Sequence, residues 1–407
     1  MTSRRPLRML MACAAAGLAW GAAPAAAIER VDTVPLPSAK GNVDAAHVVL
    51  NKVRSLNATV LLPDGYSADP DADWPVLYLL AGIGDNHTGW ITSGRITELA
   101  KDLPAIIVLP ESGKGFLMDW WRGGSRRGPN WGRYTLDEVV PAIESRYRVR
   151  PGRQWHTIGG ISMGGYGALL LAGQLPGYFG SVVSLSGLVD SQSPEAYFVL
   201  PTDMRAGSYE AVWGPVDGPY AVVNNPIKTP ENLAHSRLYL HTGRAQVDTK
   251  FGFSIKPWTE GWAIEAFAYA ENRRFDRRLR ELGIPHTYVV RIGIHDWPYW
   301  RREVPRAIAW GLFAPPPYAS GTAATDWTYR TMSPHGNAWG LGFAFAEQPR
   351  SVVTLARSGS TLTASGSGTI TINPGALEWD TSGVGSKPGC SFTATLPFTR
   401  TLPASCL

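Results

Sequence analysis

A mostly parallel α/β sheet flanked by helices, followed by a small all-β C-terminal unit, is the fold class this sequence predicts, on three observations. Between residues 45 and 313, apolar runs of strand length alternate with longer stretches of helical periodicity, the pattern of a parallel sheet covered on both faces. One of those runs opens directly into Gly160-Ile161-Ser162-Met163-Gly164 and then into an alanine- and leucine-rich stretch. Beyond residue 313 the texture changes to short threonine- and valine-rich runs punctuated by glycine and serine, with no helical pattern.

Strands are expected at 59–62, 76–80, 105–109, 155–158, 180–184, 238–241 and 287–291, and helices at 92–102, 135–147, 165–174, 260–282 and 300–312. Residues 1–27 read as an export signal. Arg4, Arg5 and Arg8 precede an apolar stretch, and Ala25-Ala26-Ala27 offers a small-residue cleavage site before Ile28. The paired arginines also fit a twin-arginine signal. The catalytic domain is then expected over 28–313, a Pro/Ala/Gly-rich linker over 314–326, and a small β domain over 327–407, whose bland role is stabilisation and whose functional role is contact with a cell-wall polymer or carbohydrate.

Composition narrows the function classes. Loss of Arg4, Arg5 and Arg8 with the signal takes the formal charge from +5 to +2, which implies no nucleic-acid partner. Arg122, Arg126, Arg127 and Arg133 cluster in one glycine-rich loop that reads as solvated surface. Without Cys13, the pair Cys390 and Cys406 remains. In an exported chain it is expected to form a disulfide contributing about 3 kcal/mol. No His/Cys/carboxylate spacing calls for a metal, and no cofactor is expected.

The G-x-S-x-G stretch, entered from a strand and left by a helix, is the nucleophile elbow of the α/β-hydrolase fold. Ser162 would sit on a strained turn, and the glycines two before and two after it pass too close to neighbouring backbone for a Cβ. Met163 would present a free N–H at the start of a helix, where the dipole favours an oxyanion.

A serine nucleophile needs a base. In this fold the order is serine, acid, histidine, and His295, after the last strong strand and before the last helix, has that address. His235, His241 and His286 lie before or within strands, and His335 lies beyond the linker. Two carboxylates compete for the acid. Asp248 follows the strand at 238–241, where sheet topology looks first, and Glu265 opens a long amphipathic helix.

Residues 45–313 resemble the secreted actinobacterial esterases related to the antigen 85 mycolyltransferases, and more distantly the S-formylglutathione hydrolases and feruloyl esterases. The stretches that carry the resemblance are VLLPDGY, WPVLYLLAGIGDNHTGW, GFLMDWW, the serine elbow, FDRRLRELGIPHT and HDWPYW. In that family the acid is a glutamate ten residues before the phenylalanine of the helix. Counting back from Phe275 gives Glu265, so the resemblance implies Glu265 as the acid with Asp248 in reserve. It also implies the Ile83 N–H as a second oxyanion donor beside Met163. The mycolyltransferases carry an aspartate and an arginine flanking that turn for trehalose, and here Ala81 and Gly84 stand in those places.

The expected function is therefore a secreted serine esterase that cleaves carboxylic esters, lipid- or carbohydrate-linked ones among the candidates, through an acyl-serine. The alternative is an acyltransferase that moves the acyl chain to a sugar or lipid hydroxyl. A non-catalytic secreted binding protein is a second alternative, opposed by the presence of all three triad residues. Among the many aromatics, Trp297, Trp120 and Trp90 are the candidate substrate contacts, since tryptophan can wall an acyl chain or stack on a sugar.

Overall fold

The computed structural model describes residues 28–43, 55–121, 128–194, 196–197, 208–251, 255–317, 324–377, 380–381 and 387–407, with backbone alone over 255–260. The signal read at 1–27, the arginines 122, 126 and 127, and linker positions 318–323 lie outside the described residues.

Eight strands form the main sheet: β1 (Ile28–Pro35), β2 (Asn57–Pro63), β3 (Val76–Leu80), β4 (Ile106–Pro110), β5 (His156–Ile161), β6 (Ser181–Leu185), β7 (Arg237–Gly243) and β8 (His286–Arg291). Their order is β1-β2-β4-β3-β5-β6-β7-β8. The pairs β1/β2 and β2/β4 are antiparallel, and every pair from β4 through β3 to β8 is parallel. Strands β3 to β6 are buried along their whole length, as expected where both faces of a parallel sheet are covered. Strand β1 was not among the expected strands. Its sequence IERVDTVP is mostly exposed and polar, as suits an edge strand, and so carries little apolar signal.

Two of the expected helices take a different form, and the short helices at 209–213 and 219–223 were not expected. The single helix expected at 92–102 is two turns, α1 (Gly89–Thr92) and α2 (Ile96–Leu99), broken where Arg95 takes φ 55°. The helix expected at 135–147 starts earlier: α3 (Trp131–Arg133) runs through a π turn (Tyr134–Val139) into α4 (Val140–Arg146). Then come α5 (Met163–Gln174), two short helices α6 (Tyr209–Trp213) and α7 (Pro219–Val223), the long α8 (Ile255–Glu281) and α9 (Trp297–Ala309). In α5 every residue but Gln174 is buried, so it is a core helix lying against the sheet rather than an amphipathic surface one.

The C-terminal unit is two four-stranded antiparallel sheets. One runs β10 (His335–Ala338), β11 (Leu341–Phe345), β14 (Thr369–Pro374), β15 (Phe392–Thr395). The other runs β16 (Phe398–Thr401), β13 (Thr361–Ser365), β12 (Val353–Ser358), β9 (Asp326–Thr331). Trp327, Tyr329, Phe343, Leu355, Leu362 and Ile372 fill the core of this unit, and Cys390 and Cys406 are disulfide-bonded. Strand β9 begins at Asp326, and Ala324 is already fully buried in that core.

This unit is docked, not tethered at a distance. Arg330 exchanges two hydrogen bonds with Asn232 and pairs with Glu231 at 3.1 Å, and His335 Nε2 lies 3.0 Å from Asp137. The Arg153 guanidinium, 2% exposed at the foot of β5, donates to the Pro317 carbonyl and lies 4.5 Å above the Trp339 ring.

Candidate active site

The site is assembled at the carboxyl ends of β3, β5, β6, β7 and β8, the edge of a parallel sheet where loops are free to carry chemistry. Ser162 follows β5 with φ 53° and ψ −119°, a conformation that a side chain rarely adopts, and its N–H donates to the Leu185 carbonyl at 2.9 Å. The glycines on either side allow this turn. A Cβ on Gly160 would lie 2.5 Å from the Gly164 carbonyl carbon, and one on Gly164 would lie 2.6 Å from the Ala81 oxygen. The elbow is thus wedged against the end of β3, just before the turn that carries Ile83. Met163 is the first residue of α5, so its N–H has no acceptor within the helix. A Cβ on Gly82 would lie 3.7 Å from Ser162 Cβ, which brings the turn containing Ile83 alongside the serine.

Of the two carboxylates, it is Glu265 that meets the histidine. Glu265 Oε2 is 2.8 Å from His295 Nδ1. Its other oxygen accepts from the Ser186 hydroxyl at 2.8 Å and from the Gly243 N–H at the end of β7. Burial alone would push this fully buried carboxyl up, but His295, Ser186 and the Gly243 N–H together hold it below the usual glutamate value. Asp248, the reserve, turns instead to Arg302 at 3.3 Å and caps the backbone N–H of Lys250. Sheet topology alone looks first to Asp248, whereas the resemblance implies Glu265, and it is the helix reaching over the strand ends that brings Glu265 to His295.

His295 Nε2 is buried and has no hydrogen-bond partner, while Nδ1 is taken by Glu265. The backbone N–H of His295 donates to the Gly261 carbonyl, tying the loop after β8 to the start of α8. The other candidate histidines stand elsewhere. His235 faces the Asp326 carbonyl, and His286 bridges Asp276 and the Ile284 carbonyl. His241 is enclosed beside Glu303, where burial pushes its imidazole down towards the neutral form.

The three tryptophans separate. Trp90 is 1% exposed and donates its indole N–H to the Leu80 carbonyl, and Trp120 is 4% exposed and donates to the Gly115 carbonyl. Both rings are buried, with their indole N–H groups directed at backbone carbonyls. Trp297 stays partly exposed and stands edge-on to Trp90 at 5.2 Å and to Trp300 at 5.5 Å. Trp300 in turn stands edge-on to His295 at 4.9 Å. Ser186, Gly243 and Trp300 were not assigned roles from the sequence. Their signal was position: Ser186 directly follows β6 and Gly243 ends β7, at the sheet edge where sites form. Among the described residues, no group of three His, Cys, Asp or Glu is placed to hold a metal ion.

Comparison with known proteins gives the family and the fold. The Esterase family model matches residues 53–310. The esterase Rv1288 of Mycobacterium tuberculosis is 28% identical over 237 residues, covering 56% of this chain and 49% of that one. The diacylglycerol acyltransferase/mycolyltransferase Ag85A of Mycobacterium gordonae is 28% identical over 248 residues, covering 57% and 71%. The chain thus spans about half the length of the first of these relatives. Among solved structures, the Staphylococcus aureus fluorophosphonate-binding serine hydrolase FphF superposes with a TM-score of 0.55 at 20% identity, covering 70% of this chain and 98% of that one, a likeness of fold.

Proposed function

The chain belongs to the Esterase family, and from that premise we propose that it is a serine esterase that cleaves carboxylic esters through an acyl-serine intermediate. The observation that carries the reading is the Glu265–His295 hydrogen bond, which occupies Nδ1 and leaves Nε2 bare at the strand edge that bears Ser162. In this mechanism Nε2 takes the Ser162 proton as Oγ attacks the ester carbonyl. Glu265 holds the ring and stabilises the imidazolium, and the N–H groups of Met163 and Ile83 receive the oxyanion. Collapse expels the alcohol, protonated by His295. Water, deprotonated by the same nitrogen, then releases the acid and frees the serine.

The related Ag85A is named as an acyltransferase, and in a transfer reaction a sugar or lipid hydroxyl would replace water in the second step. Ala81 and Gly84, in place of the charged pair that resemblance assigns to trehalose recognition, favour hydrolysis here. The expected setting is outside the cytoplasm, after cleavage near Ala27. No helix among the described residues is long and apolar enough to cross a membrane. The C-terminal unit is proposed as a separate domain with its own core, and contact with wall polymer as its role. Incubation with short- and long-chain acyl esters, with and without glycerol or a sugar, followed by mass spectrometry, tests the function. Free acid as the sole product supports hydrolysis, an acylated acceptor supports transfer, and no turnover of any ester defeats both.

A further inference from the structure

Three side chains, those of His295, Ser186 and Trp300, close a ring with the Glu265 carboxylate. Glu265 Oε2 meets His295 Nδ1 at 2.8 Å, and Oε1 accepts from Ser186 Oγ at 2.8 Å. The Trp300 indole N–H lies 3.1 Å from the same Ser186 Oγ, and the Trp300 ring stands at 88° to His295 with centroids 4.9 Å apart. Glu265 is 0% exposed, Ser186 2% and Trp300 6%.

The chemistry of the groups sets the direction of each bond. A serine hydroxyl can donate or accept, but an indole N–H can only donate. Trp300 therefore makes Ser186 Oγ an acceptor on that side and leaves its single proton for Glu265. The backbone adds a second constraint. Ser186 takes φ 50° at the residue after β6, and its N–H is held by the His241 carbonyl at 2.7 Å. With Oε1 filled by the Ser186 hydroxyl and the Gly243 N–H, the free oxygen of Glu265 is the one directed at His295. A proton on Nδ1 then leaves the lone pair on Nε2.

We propose that Ser186 is a positioning residue for the acyl-transfer chemistry, its hydroxyl oriented by Trp300 so that Glu265 presents Oε2 to His295. This rests on the reading of Ser162, His295 and Glu265 given above. Outer partners of this kind typically change activity about 10- to 100-fold when removed from metal sites, and a similar scale is expected here. Loss of the hydroxyl also leaves the Glu265 charge less dispersed, so the histidine–glutamate couple as a whole holds its proton more tightly. The acid limb of kcat/KM then moves to higher pH.

The test is p-nitrophenyl acetate hydrolysis by the full chain across pH, normalised to sites titrated with a fluorophosphonate. The variants are Ser186→Ala, Trp300→Phe, their double and Ser162→Ala. Alanine at φ 50° meets the same backbone cost as serine, and Trp300→Phe removes the N–H while keeping a ring, so it serves if Ser186→Ala misfolds. Expected are a kcat loss of about 10- to 100-fold in Ser186→Ala with KM little changed, an acid limb moved up, a smaller change of the same sign in Trp300→Phe, and a double variant no worse than Ser186→Ala. Unchanged kcat and pH limb in Ser186→Ala, or fully additive losses in the double, would overturn the proposal while an inactive Ser162→Ala leaves the esterase reading standing. Turnover retained by Ser162→Ala would overturn that reading and this proposal with it.

Discussion

Glu265 and His295 stand 30 positions apart in sequence and 2.8 Å apart at the end of the sheet, while Asp248, the carboxylate nearer a strand end, faces Arg302. That choice of partner separates the two acids experimentally. Glu265→Gln should lower ester turnover by about 10²- to 10⁴-fold, since the amide cannot stabilise an imidazolium. Asp248→Asn breaks only a partly exposed ion pair and should change stability by no more than about 1 kcal/mol and turnover little. Steady-state kinetics on both variants decides it, and a crippled Asp248→Asn with an active Glu265→Gln would refute the pairing.

Ser162→Ala should abolish turnover and fluorophosphonate labelling without unfolding the chain, because it removes one oxygen from a partly exposed position. Intact-mass measurement after labelling reads this directly. A labelled alanine variant would place the nucleophile elsewhere.

Gly164→Ala should be among the most damaging small changes in the protein. Its Cβ would meet the Ala81 carbonyl oxygen at 2.6 Å, and backbone on both sides of the contact leaves nothing to rotate away, so a loss of about 3 kcal/mol or more is expected. Gly173→Ala in the same helix meets nothing nearer than Asn232 Cβ at 3.4 Å and should be neutral or stabilising by up to about 1 kcal/mol. Denaturant unfolding of the pair measures the contrast, and equal stabilities would show that the elbow can relax.

Glu271 gives stability a dependence on pH. Burial pushes its carboxyl up to about 8, opposed by the Ser193 hydroxyl and the N–H groups of Val189 and Asp190. The folded chain therefore holds this proton where the unfolded chain has released it. The contribution is complete below the ordinary glutamate value of 4.5 and is lost as pH rises through about 8. Glu271→Gln should flatten the fall of Tm between about pH 5 and 9, gaining on the parent chain as pH rises. Parallel curves for the two proteins would count against it.

Deletion of residues 320–407 should spare turnover of small soluble esters, because Ser162, Glu265 and His295 all precede the cut. It should also lower Tm, because the cut strips Arg330 from Asn232 and Glu231, His335 from Asp137, and Trp339 from Arg153. Thermal unfolding and kinetics on one preparation test both halves. A stable but inactive fragment would mean that the β unit completes the site.

Local and repetitive features were legible in the sequence. The strands from β3 to β6 announce themselves as mainly apolar runs because both faces of the sheet are covered there, and the elbow is legible because its glycines answer a steric demand within five residues. The break in the first expected helix was less so. Apolar spacing at 92–102 continues across Ser93-Gly94, and nothing local says that Arg95 will turn left-handed. Trp90 and Trp297 look alike in composition, yet one is sealed under Leu80 and the other keeps an exposed edge, a difference made by neighbours distant in the chain.

What the sequence by itself determined was the alternation of strands and helices, the serine turn, the address of His295 and the cysteine pair, since each depends on spacing or sterics along a short stretch. Position along the chain left Asp248 and Glu265 both open until the resemblance implied Glu265, and tertiary structure decided how Glu265 meets the histidine, how Ser186 and Trp300 gather round it, and that the β unit docks through Arg330, His335 and Arg153. These are contacts between segments tens to hundreds of residues apart, and hydrogen bonds fall off within a few tenths of an ångström. Only the packed sheet, by setting where each strand ends, brings such groups within that range.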